Sequence, residues 1–435
     1  MHLQTDEQTI DDLRLFSKRD IVGIYEIYNH ACTRGGEALL QDMFRHPLTD
    51  AAAIRQRSNI IRHFAQARID FPFNGSLFDL AEKYFAHPAQ QSGRNSQPEL
   101  GEKDIQNGVA AVLELLQRVK AFIATDAVTG NTAFTSLREA MEARLSDPAF
   151  TPVFRENLKS KLSFAANAAF DNLLRIRERE KVQHILHFIY ELDVYMAVAQ
   201  VANKHQFIFP TPLEKESNTL ILEGLYHPAL TQPVANNVEM GLSQRVIFLT
   251  GANMAGKSTF LRSLSTVMYL AHMGFPVAAR KMEFSVMDGI YTTINLPDNL
   301  GMGASHFYAE VLRVKKVAAE LSAGKKIFVV FDELFRGTNV KDAHEATVEV
   351  TKAFASKTAS RFIISSHIVE AGEDLQQQPG IGFLYLPTRM NGHTPEYTYR
   401  LEQGITADRH GMIIIQNEKI LDILKNGKKN INVNV

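Results

Sequence analysis

The sequence has one cysteine, no tryptophan and almost no net charge. With Cys32 alone, the chain can form neither an internal disulfide nor a zinc site made of several cysteines, which suits a reducing compartment such as the cytoplasm. A formal net charge of −1 provides no global basic field, so any nucleic acid would have to be bound by local patches. The first residues are polar and no later run is long enough to span a bilayer, so we expect a cytoplasmic protein without membrane contact.

Length and pattern predict two domains. The 435 residues are 45% hydrophobic and 22% charged, which is typical of a globular protein with more than one core. We expect a helical domain over residues 1–212, an α/β domain over residues 213–424 and a disordered tail over residues 425–435. The predicted helices of the first domain cover residues 37–45, a helix that starts after Thr49-Asp50, then 105–125, 135–144 and most of 152–205, with a loop at 87–107.

The second domain alternates short apolar runs with helical patterns, which predicts an α/β fold. The predicted strands cover residues 219–225, 245–250, 287–295, 326–331, 361–366, 381–386 and 396–401.

A phosphate-binding motif lies between one of these strands and a helix. Residues 251–258, Gly-Ala-Asn-Met-Ala-Gly-Lys-Ser, fit the pattern G-x-x-x-x-G-K-[ST]. Backbone N–H groups at the start of a helix can wrap a polyphosphate. Lys257 would reach the β- and γ-phosphates, and the Ser258 hydroxyl would bind Mg²⁺. The sequence therefore predicts an ATP-binding loop, which we call the phosphate loop.

Two later strand ends carry polar residues that suit the same site. The apolar run 327–331 ends in Asp332-Glu333, where one carboxylate can hold hydrated Mg²⁺ and the next can polarise the attacking water. The run 362–366 ends in His367, which can sense a γ-phosphate through hydrogen bonds, although a histidine at such a position is more often structural. Glu333 beside Asp332 favours hydrolysis over nucleotide sensing alone.

Basic residues outnumber acidic ones in one part of the helical half. This pattern usually marks only a solvated helix face, and a patch that contacts DNA phosphates is the alternative. The candidate residues are Arg155, Lys159, Lys161, Arg175, Arg177, Arg179 and Lys181.

These motifs together resemble those of the MutS family of DNA mismatch-repair ATPases. Asn253-Met254 before the second glycine of the phosphate loop is similar to the family's version, and residues 332–339, Asp-Glu-Leu-Phe-Arg-Gly-Thr-Asn, resemble its Walker B strand and the run that follows. Ser366-His367 matches its switch histidine. Residues 33–50 and 191–210 resemble parts of its core and lever helices.

The resemblance implies roles for matching positions. It implies an α-helical lever domain followed by a P-loop ATPase domain of the ABC type, with ATP and Mg²⁺ as cofactors, DNA as partner and a homodimer as the assembly. Ser258 and Asp332 would hold the metal, Glu333 and His367 would be catalytic, and Ser305 would reach the nucleotide of the second subunit. The implied ATP-binding residues are Gly251, Ala252, Asn253, Met254, Ala255, Gly256, Lys257, Ser258, Thr259 and Val234.

Several departures from the family pattern leave alternatives open. The resemblance starts at the core domain, so we expect the mismatch-recognition and connector domains to be missing, and Phe335 stands where a glycine is common. A MutS-like ATPase that binds DNA in mismatch repair or recombination is the first hypothesis. An ABC-type mechanochemical ATPase acting on RNA, the ribosome or a protein complex is the second, and a scaffold in which ATP only stabilises a dimer is the third.

Overall fold

The computed structural model describes residues 2–18, 21–87, 100–296, 306–391, 394–406 and 419–426. The chain forms two compact units. Residues 15–209 and 271–277 form one, which we call the helical unit, and residues 1–14, 210–270 and 278–435 form the other, the α/β unit. The main division at 209/210 lies close to the predicted boundary at 212, whereas residues 1–14 group with the α/β unit and not with the helical half.

The chain is mainly helical before residue 210 and then alternates strands with helices. The helices before residue 210 are α1 (Glu7–Asp12), α2 (Ile24–Tyr28), α3 (Arg34–Arg45), α4 (Ala51–Ala67), α5 (Gly75–Ala86), α6 (Glu102–Ile123), α7 (Asp126–Thr129), α8 (Thr135–Leu145), α9 (Thr151–Arg155), α10 (Phe164–Asp171) and α11 (Arg179–His205). The later elements are β1 (Thr211–Leu213), β2 (Leu220–Leu225), β3 (Asn236–Met240), β4 (Gln244–Gly251), α12 (Lys257–His272), β5 (Lys281–Ser285), β6 (Gly289–Thr293), α13 (His306–Ser322), β7 (Ile327–Phe331), α14 (Val340–Ala355), β8 (Arg361–Ser365), α15 (Val369–Leu375), β9 (Gly380–Leu386), β10 (Thr388–Asn391), β11 (Thr394–Tyr397), β12 (Glu402–Gln403) and α16 (Ile420–Asn426). Short 3₁₀ turns cover Thr132–Phe134, Pro148–Phe150 and Lys215–Ser217, and a π-helical segment covers Asn172–Arg177.

The helical unit is packed around α11. Apolar residues of this helix are buried, with Ile185, Ile189 and Leu192 fully shielded from solvent. Asp193 on the same helix accepts hydrogen bonds from the backbone N–H groups of Cys32 and Thr33, both at 2.9 Å, and so fixes the start of α3. Contrary to expectation, α11 is long and apolar enough to cross a membrane. However, 78% of its most apolar window is buried inside the protein, as in a core helix.

The α/β unit contains a six-stranded sheet with the order β12-β9-β4-β8-β7-β6. The five strands from β9 to β6 are parallel, and β12 pairs antiparallel with β9 at one edge. A second sheet has the order β1-β5-β2-β3, and β10 and β11 form a hairpin. Because parallel strands end at the same edge of a sheet, the loops after β4, β6, β7 and β8 lie together.

Element boundaries were predicted best where apolar runs are long. The structure has helix α4 after its Asp50 cap, where the Asp50 carboxylate accepts from Ala53 N at 2.7 Å. The loop predicted at 87–107 is too long, because α6 already starts at Glu102; residues 88–99 lie outside the described part. The strand predicted at 396–401 is instead the hairpin that ends at Tyr397. Residues 425 and 426 end α16, and the rest of the predicted tail lies outside the described residues.

The first residues of the chain lie against the edge strand β6. Gln4 forms a parallel bridge with Gly289, with Gln4 N donating to Asp288 O at 2.9 Å and Ile290 N donating to Gln4 O at 2.9 Å. Helix α1 follows directly, capped by the Asp6 side chain, which accepts from Thr9 N at 3.0 Å. The N-terminal segment is thereby part of the α/β unit, which explains why residues 1–14 do not group with the helical unit.

Candidate functional site

The phosphate loop connects the buried strand β4 to helix α12, as its sequence predicted. Lys257 is the first residue of α12 and its side chain folds back over the loop. Its ammonium donates to Gly251 O at 2.9 Å and to Ala252 O at 3.2 Å. Only 5% of Lys257 is exposed, and this burial lowers its pKa although Glu333 and Asp332 act in the opposite direction. The lysine is therefore held over the loop by two carbonyls that a phosphate can replace as its partners.

The loop backbone passes through conformations that favour glycine. Gly256 has φ +100, and a Cβ added there would lie 2.9 Å from the Tyr399 ring, so a larger residue would be strained in both respects. Met254 has φ +67 and 76% of it is exposed, while the next residue, Ala255, is buried. Asn253, Ser258 and Thr259 are also exposed. The loop and the start of α12 thus present Asn253, Met254, Ser258 and Thr259 to solvent.

The hydroxyl of Ser258 donates to Oδ2 of Asp332 across the ends of α12 and β7. Ser365, the last residue of β8, donates to Oδ1 of the same carboxylate at 2.7 Å. Burial raises the pKa of Asp332, and the hydrogen bonds from Ser258 and Ser365 oppose this effect. A serine hydroxyl and a carboxylate in contact provide oxygen ligands of the kind that Mg²⁺ prefers.

Beside this pair is a polar cleft of about 260 Å³. Glu333 lies in the cleft with φ +52, and its carboxylate forms a 3.0 Å ion pair with Arg336. The complete lining is Ser258, Thr293, Ile294, Asn295, Leu296, Glu310, Asp332, Glu333 and Arg336. A carboxylate suited to polarising water therefore lies in the same cleft as a hydroxyl and a carboxylate of the kind that Mg²⁺ prefers.

A second pocket, of about 290 Å³ and more apolar, is lined in part by the phosphate loop. Val234, Gly256 and Thr259 line it together with Tyr399 and His227. Burial and the nearby arginines 262 and 14 lower the pKa of His227 to about 4, so its imidazole is neutral at neutral pH. Predicted ATP-binding residues from before β3 and from the phosphate loop thus share one apolar pocket, which suits a flat aromatic base.

Of the other two predicted residues, His367 is among the described residues and Ser305 is not. His367 follows β8 and is exposed; the preceding residue, Ser366, donates through its N–H to Leu249 O at 3.0 Å, next to the end of β4. Ser305 lies outside the described residues. Sequence patterns missed Ser365 and the segment 293–296, because the hydroxyl and backbone groups of such residues carry no motif.

The seven basic residues fall into two groups. Arg155, Lys159, Lys161 and Arg177 are exposed. Arg175 forms a 2.7 Å ion pair with Asp171, Arg179 donates to Phe85 O at 2.6 Å, and Lys181 pairs with Asp147 at 2.6 Å. The side chains of the second group are therefore engaged within the helical unit, and the exposed group is the part of the set that faces solvent.

Known proteins resemble this chain over part of its length. Residues 247–432 match the family model of MutS domain V. The chain is 25% identical over 269 residues to the DNA mismatch repair protein MutS of Staphylococcus haemolyticus, which covers 59% of this chain and 30% of that protein. It is 30% identical over 225 residues to the protein of that name from Ehrlichia chaffeensis, covering 49% and 28%, and 26% identical over 268 residues to that from Persephonella marina, covering 60% and 30%. The matched stretch thus spans less than a third of these relatives.

Proposed function

The chain belongs to the MutS family through its domain V, and from this premise we propose that it binds ATP with Mg²⁺, hydrolyses ATP and couples the ATP state to DNA binding. The observation that carries the proposal is the meeting of Ser258 and Asp332 beside Glu333, next to a lysine that is held over the phosphate loop. The proposed fold of this domain is a P-loop ATPase of the ABC type.

Each residue of the site has a distinct proposed role. Lys257 exchanges its carbonyl partners for phosphate oxygens, and the loop N–H groups at the start of α12 bind the same phosphates. Ser258 and Asp332 would hold Mg²⁺, which when bound neutralises phosphate charge. Glu333 orients and polarises the attacking water, and the ion pair with Arg336 holds its carboxylate in the cleft.

The apolar pocket next to Val234 receives the adenine in this proposal. The neutral imidazole of His227 and the ring of Tyr399 provide flat surfaces for it, and Asn236 fixes Tyr399 by donating to its carbonyl at 2.9 Å. A base in this pocket and a triphosphate along the loop would occupy both sides of Gly256. The two pockets together therefore match the two chemical halves of a nucleotide.

We further propose a homodimer in the cytoplasm, in which Ser305 reaches the ATP of the second subunit while Asn253 and His367 respond to the γ-phosphate. The names of the relatives support DNA as the partner and mismatch repair as the setting. Exposed apolar residues near the site, Met254 in the loop and Tyr308 and Leu312 on α13, suit a surface that a second copy covers.

The test combines turnover with DNA binding. We expect multiple-turnover phosphate release from ATP that requires Mg²⁺, and binding to labelled DNA that changes between ATP and ADP and weakens steeply with salt. Duplex, branched and mismatched DNA are titrated in parallel, with Lys257→Met as the control for the ATP site. Absence of phosphate release would refute the ATPase, and absence of binding to all three DNAs at low salt would refute the DNA partner.

A further inference from the structure

A buried aspartate near the N-terminus, Asp12 at the end of α1, has no role in the site described above. Only 1% of it is exposed. Its Oδ2 accepts from Ile294 N at 2.8 Å and from the Thr292 hydroxyl at 2.9 Å, and its Oδ1 accepts from Asn295 N at 2.9 Å and from the Gln8 amide at 3.0 Å. Two consecutive backbone N–H groups therefore point at one carboxylate, 280 or more residues away in sequence.

The segment that Asp12 holds is one wall of the polar cleft. Thr293, the last residue of β6, and residues 294–296 after it line the same cleft as Glu333. Within this segment, Thr293 O accepts from the backbone N–H of Asp332 at 2.9 Å. The backbone that carries the proposed metal carboxylate is thus hydrogen-bonded to the residue just before the two amides that Asp12 binds.

Further contacts of the N-terminal segment converge on this wall. The Thr9 hydroxyl accepts from Thr292 N at 3.0 Å, and Gln8 donates to Asn295 O at 2.9 Å. Arg262, one and a half turns into α12, donates through Nε to Asp12 O at 2.7 Å. The Asn295 amide is assigned in the orientation in which both its nitrogen and its oxygen have hydrogen-bond partners. In this orientation its oxygen accepts from Arg262 at 2.6 Å. Helix α1 therefore links the helix after the phosphate loop to the wall of the cleft.

We propose that Asp12 is a positioning residue of the ATP site, which holds residues 292–295 in the geometry that the cleft needs for hydrolysis. The proposal rests on the proposed ATPase function. The N-terminal segment, although it comes before the helical unit in the chain, is then a working part of the ATPase and not only a cover for the edge of β6.

A carboxylate is needed at this position because the four groups that face it are all donors. An asparagine has the same shape but turns an N–H₂ group toward one pair of donors, so at least one backbone N–H loses its acceptor. A residue that only filled space would tolerate this change better, since the volume is retained. Burial raises the pKa of Asp12, while the amides of Ile294 and Asn295 favour its ionised form.

The experiment compares Asp12→Asn with wild type in the full chain. We expect kcat to fall by up to about a hundredfold, because a displacement of about 1 Å can cost that much. We expect little change in the Kd for ATP without Mg²⁺, a higher Mg²⁺ concentration for half-maximal turnover, and faster amide hydrogen exchange at Ile294 and Asn295. Asp12→Glu, which keeps the charge but is longer, should recover part of the exchange protection and of kcat.

Asp11→Asn is the matched control, since Asp11 is the exposed neighbour on the same helix. It should behave as wild type. If Asp12→Asn does not fold, Thr292→Val removes one of the four donors while keeping the branched shape, and a smaller effect in the same direction is expected. Wild-type exchange at the two amides, or wild-type kcat and Mg²⁺ dependence in a folded variant, would overturn the proposal. A wild-type protein without ATPase activity would refute the proposed function instead, because the exchange comparison needs no turnover.

Discussion

The hydroxyl of Ser365 donates a 2.7 Å hydrogen bond to Asp332, at the point where the neighbouring parallel strands β8 and β7 both end. Asp332 is the proposed metal carboxylate, and Ser365 lies two residues before His367, the proposed γ-phosphate sensor. A direct contact therefore joins the strand end that would hold the metal to the strand end that would respond to ATP.

Removing the Ser365 hydroxyl should raise the pKa of Asp332 further, because burial already raises it and this hydrogen bond opposes that effect. Ser365→Ala should therefore lose Mg²⁺-dependent ATPase activity at a higher pH than wild type as the pH is lowered. Its Mg²⁺ requirement at neutral pH should also rise. The pH profile of kcat at saturating ATP checks this. Ser360→Ala is the control, since Ser360 precedes β8 at its other end and accepts from Ile327 N at 3.1 Å. Identical pH profiles for wild type, Ser365→Ala and Ser360→Ala would contradict the role given to Ser365.

Replacing Lys257 should abolish the stabilisation by ATP without lowering the thermal stability of the nucleotide-free protein. Lys257→Met keeps the length of the side chain but removes a buried ammonium whose pKa is lowered by desolvation, so Tm without nucleotide should be unchanged or higher. Wild type should gain Tm with ATP and Mg²⁺ according to the ligand concentration relative to Kd, whereas the variant should gain none. Thermal unfolding with and without ATP measures both. Lys281→Met, at an exposed lysine paired with Glu283, should keep the ATP-dependent gain; a gain in Lys257→Met would contradict the assignment.

Glu333→Gln should bind ATP normally but hydrolyse it about a hundredfold to ten-thousandfold more slowly, which is the range that a general base contributes. The amide keeps the volume in the cleft and can still contact Arg336, but it cannot polarise water as a carboxylate does. Light scattering after chromatography with ATP should show a dimer that persists in the variant. Glu349→Gln, on an exposed part of α14, is the control. Normal turnover in Glu333→Gln would mean that another residue polarises the attacking water, and His367 would be the next residue to test.

Phe335 carries a backbone strain that a variant pair can reveal. It has φ +64, where glycine is unstrained, yet its ring is buried and packs against Phe307 with the ring centroids 5.8 Å apart. Losing the ring should cost about 3–5 kcal/mol in either variant. Phe335→Gly should nevertheless be more stable than Phe335→Ala by about 1 kcal/mol, because alanine retains the left-handed strain.

Phe354, in helix α14, provides the opposite case. There Phe354→Gly should be less stable than Phe354→Ala by about 1 kcal/mol, since glycine is unfavourable inside a helix. Urea midpoints rank the four variants. The same order at both positions would contradict the strain at Phe335.

The sequence predicted those parts of the site that form continuous motifs. Residues 251–258 and 332–333 could be placed at strand ends because a phosphate loop and an apolar strand each have a local pattern. Ser365 could not be assigned, since a serine at the end of a strand has no special pattern until the strand order places it beside β7. Asp12 was missed for a stronger reason: three of its four partners lie 280 or more residues away, and only the pairing of the N-terminal segment with β6 brings them together. The short strands β3 and β5 were missed because their apolar residues are too few to stand out.

The proposed DNA contacts can be tested with two neighbouring arginines. Arg177 is exposed, whereas 9% of the Arg175 side chain is exposed and its guanidinium pairs with Asp171, which also accepts from Tyr84 at 2.6 Å. Arg177→Ala should therefore leave Tm unchanged, weaken binding to all DNA sequences alike and lower the salt slope by about one. Arg175→Ala should lower Tm, because it leaves the Asp171 carboxylate without its cation, at a cost of about 1–3 kcal/mol.

A salt titration of DNA affinity and a thermal scan, run on both variants, give the four values. Glu180→Gln, at an exposed acidic residue of the same region, is the control for a change of charge without loss of a cation. It should leave the salt slope unchanged, because counterion release depends on the cations that contact phosphates. Both slopes are measured at temperatures where the variants are folded. An unchanged salt slope in Arg177→Ala together with a lowered slope in Arg175→Ala would contradict the proposed contacts. The exposed arginines would then not contact DNA, and the phosphate-binding surface of this chain would lie elsewhere.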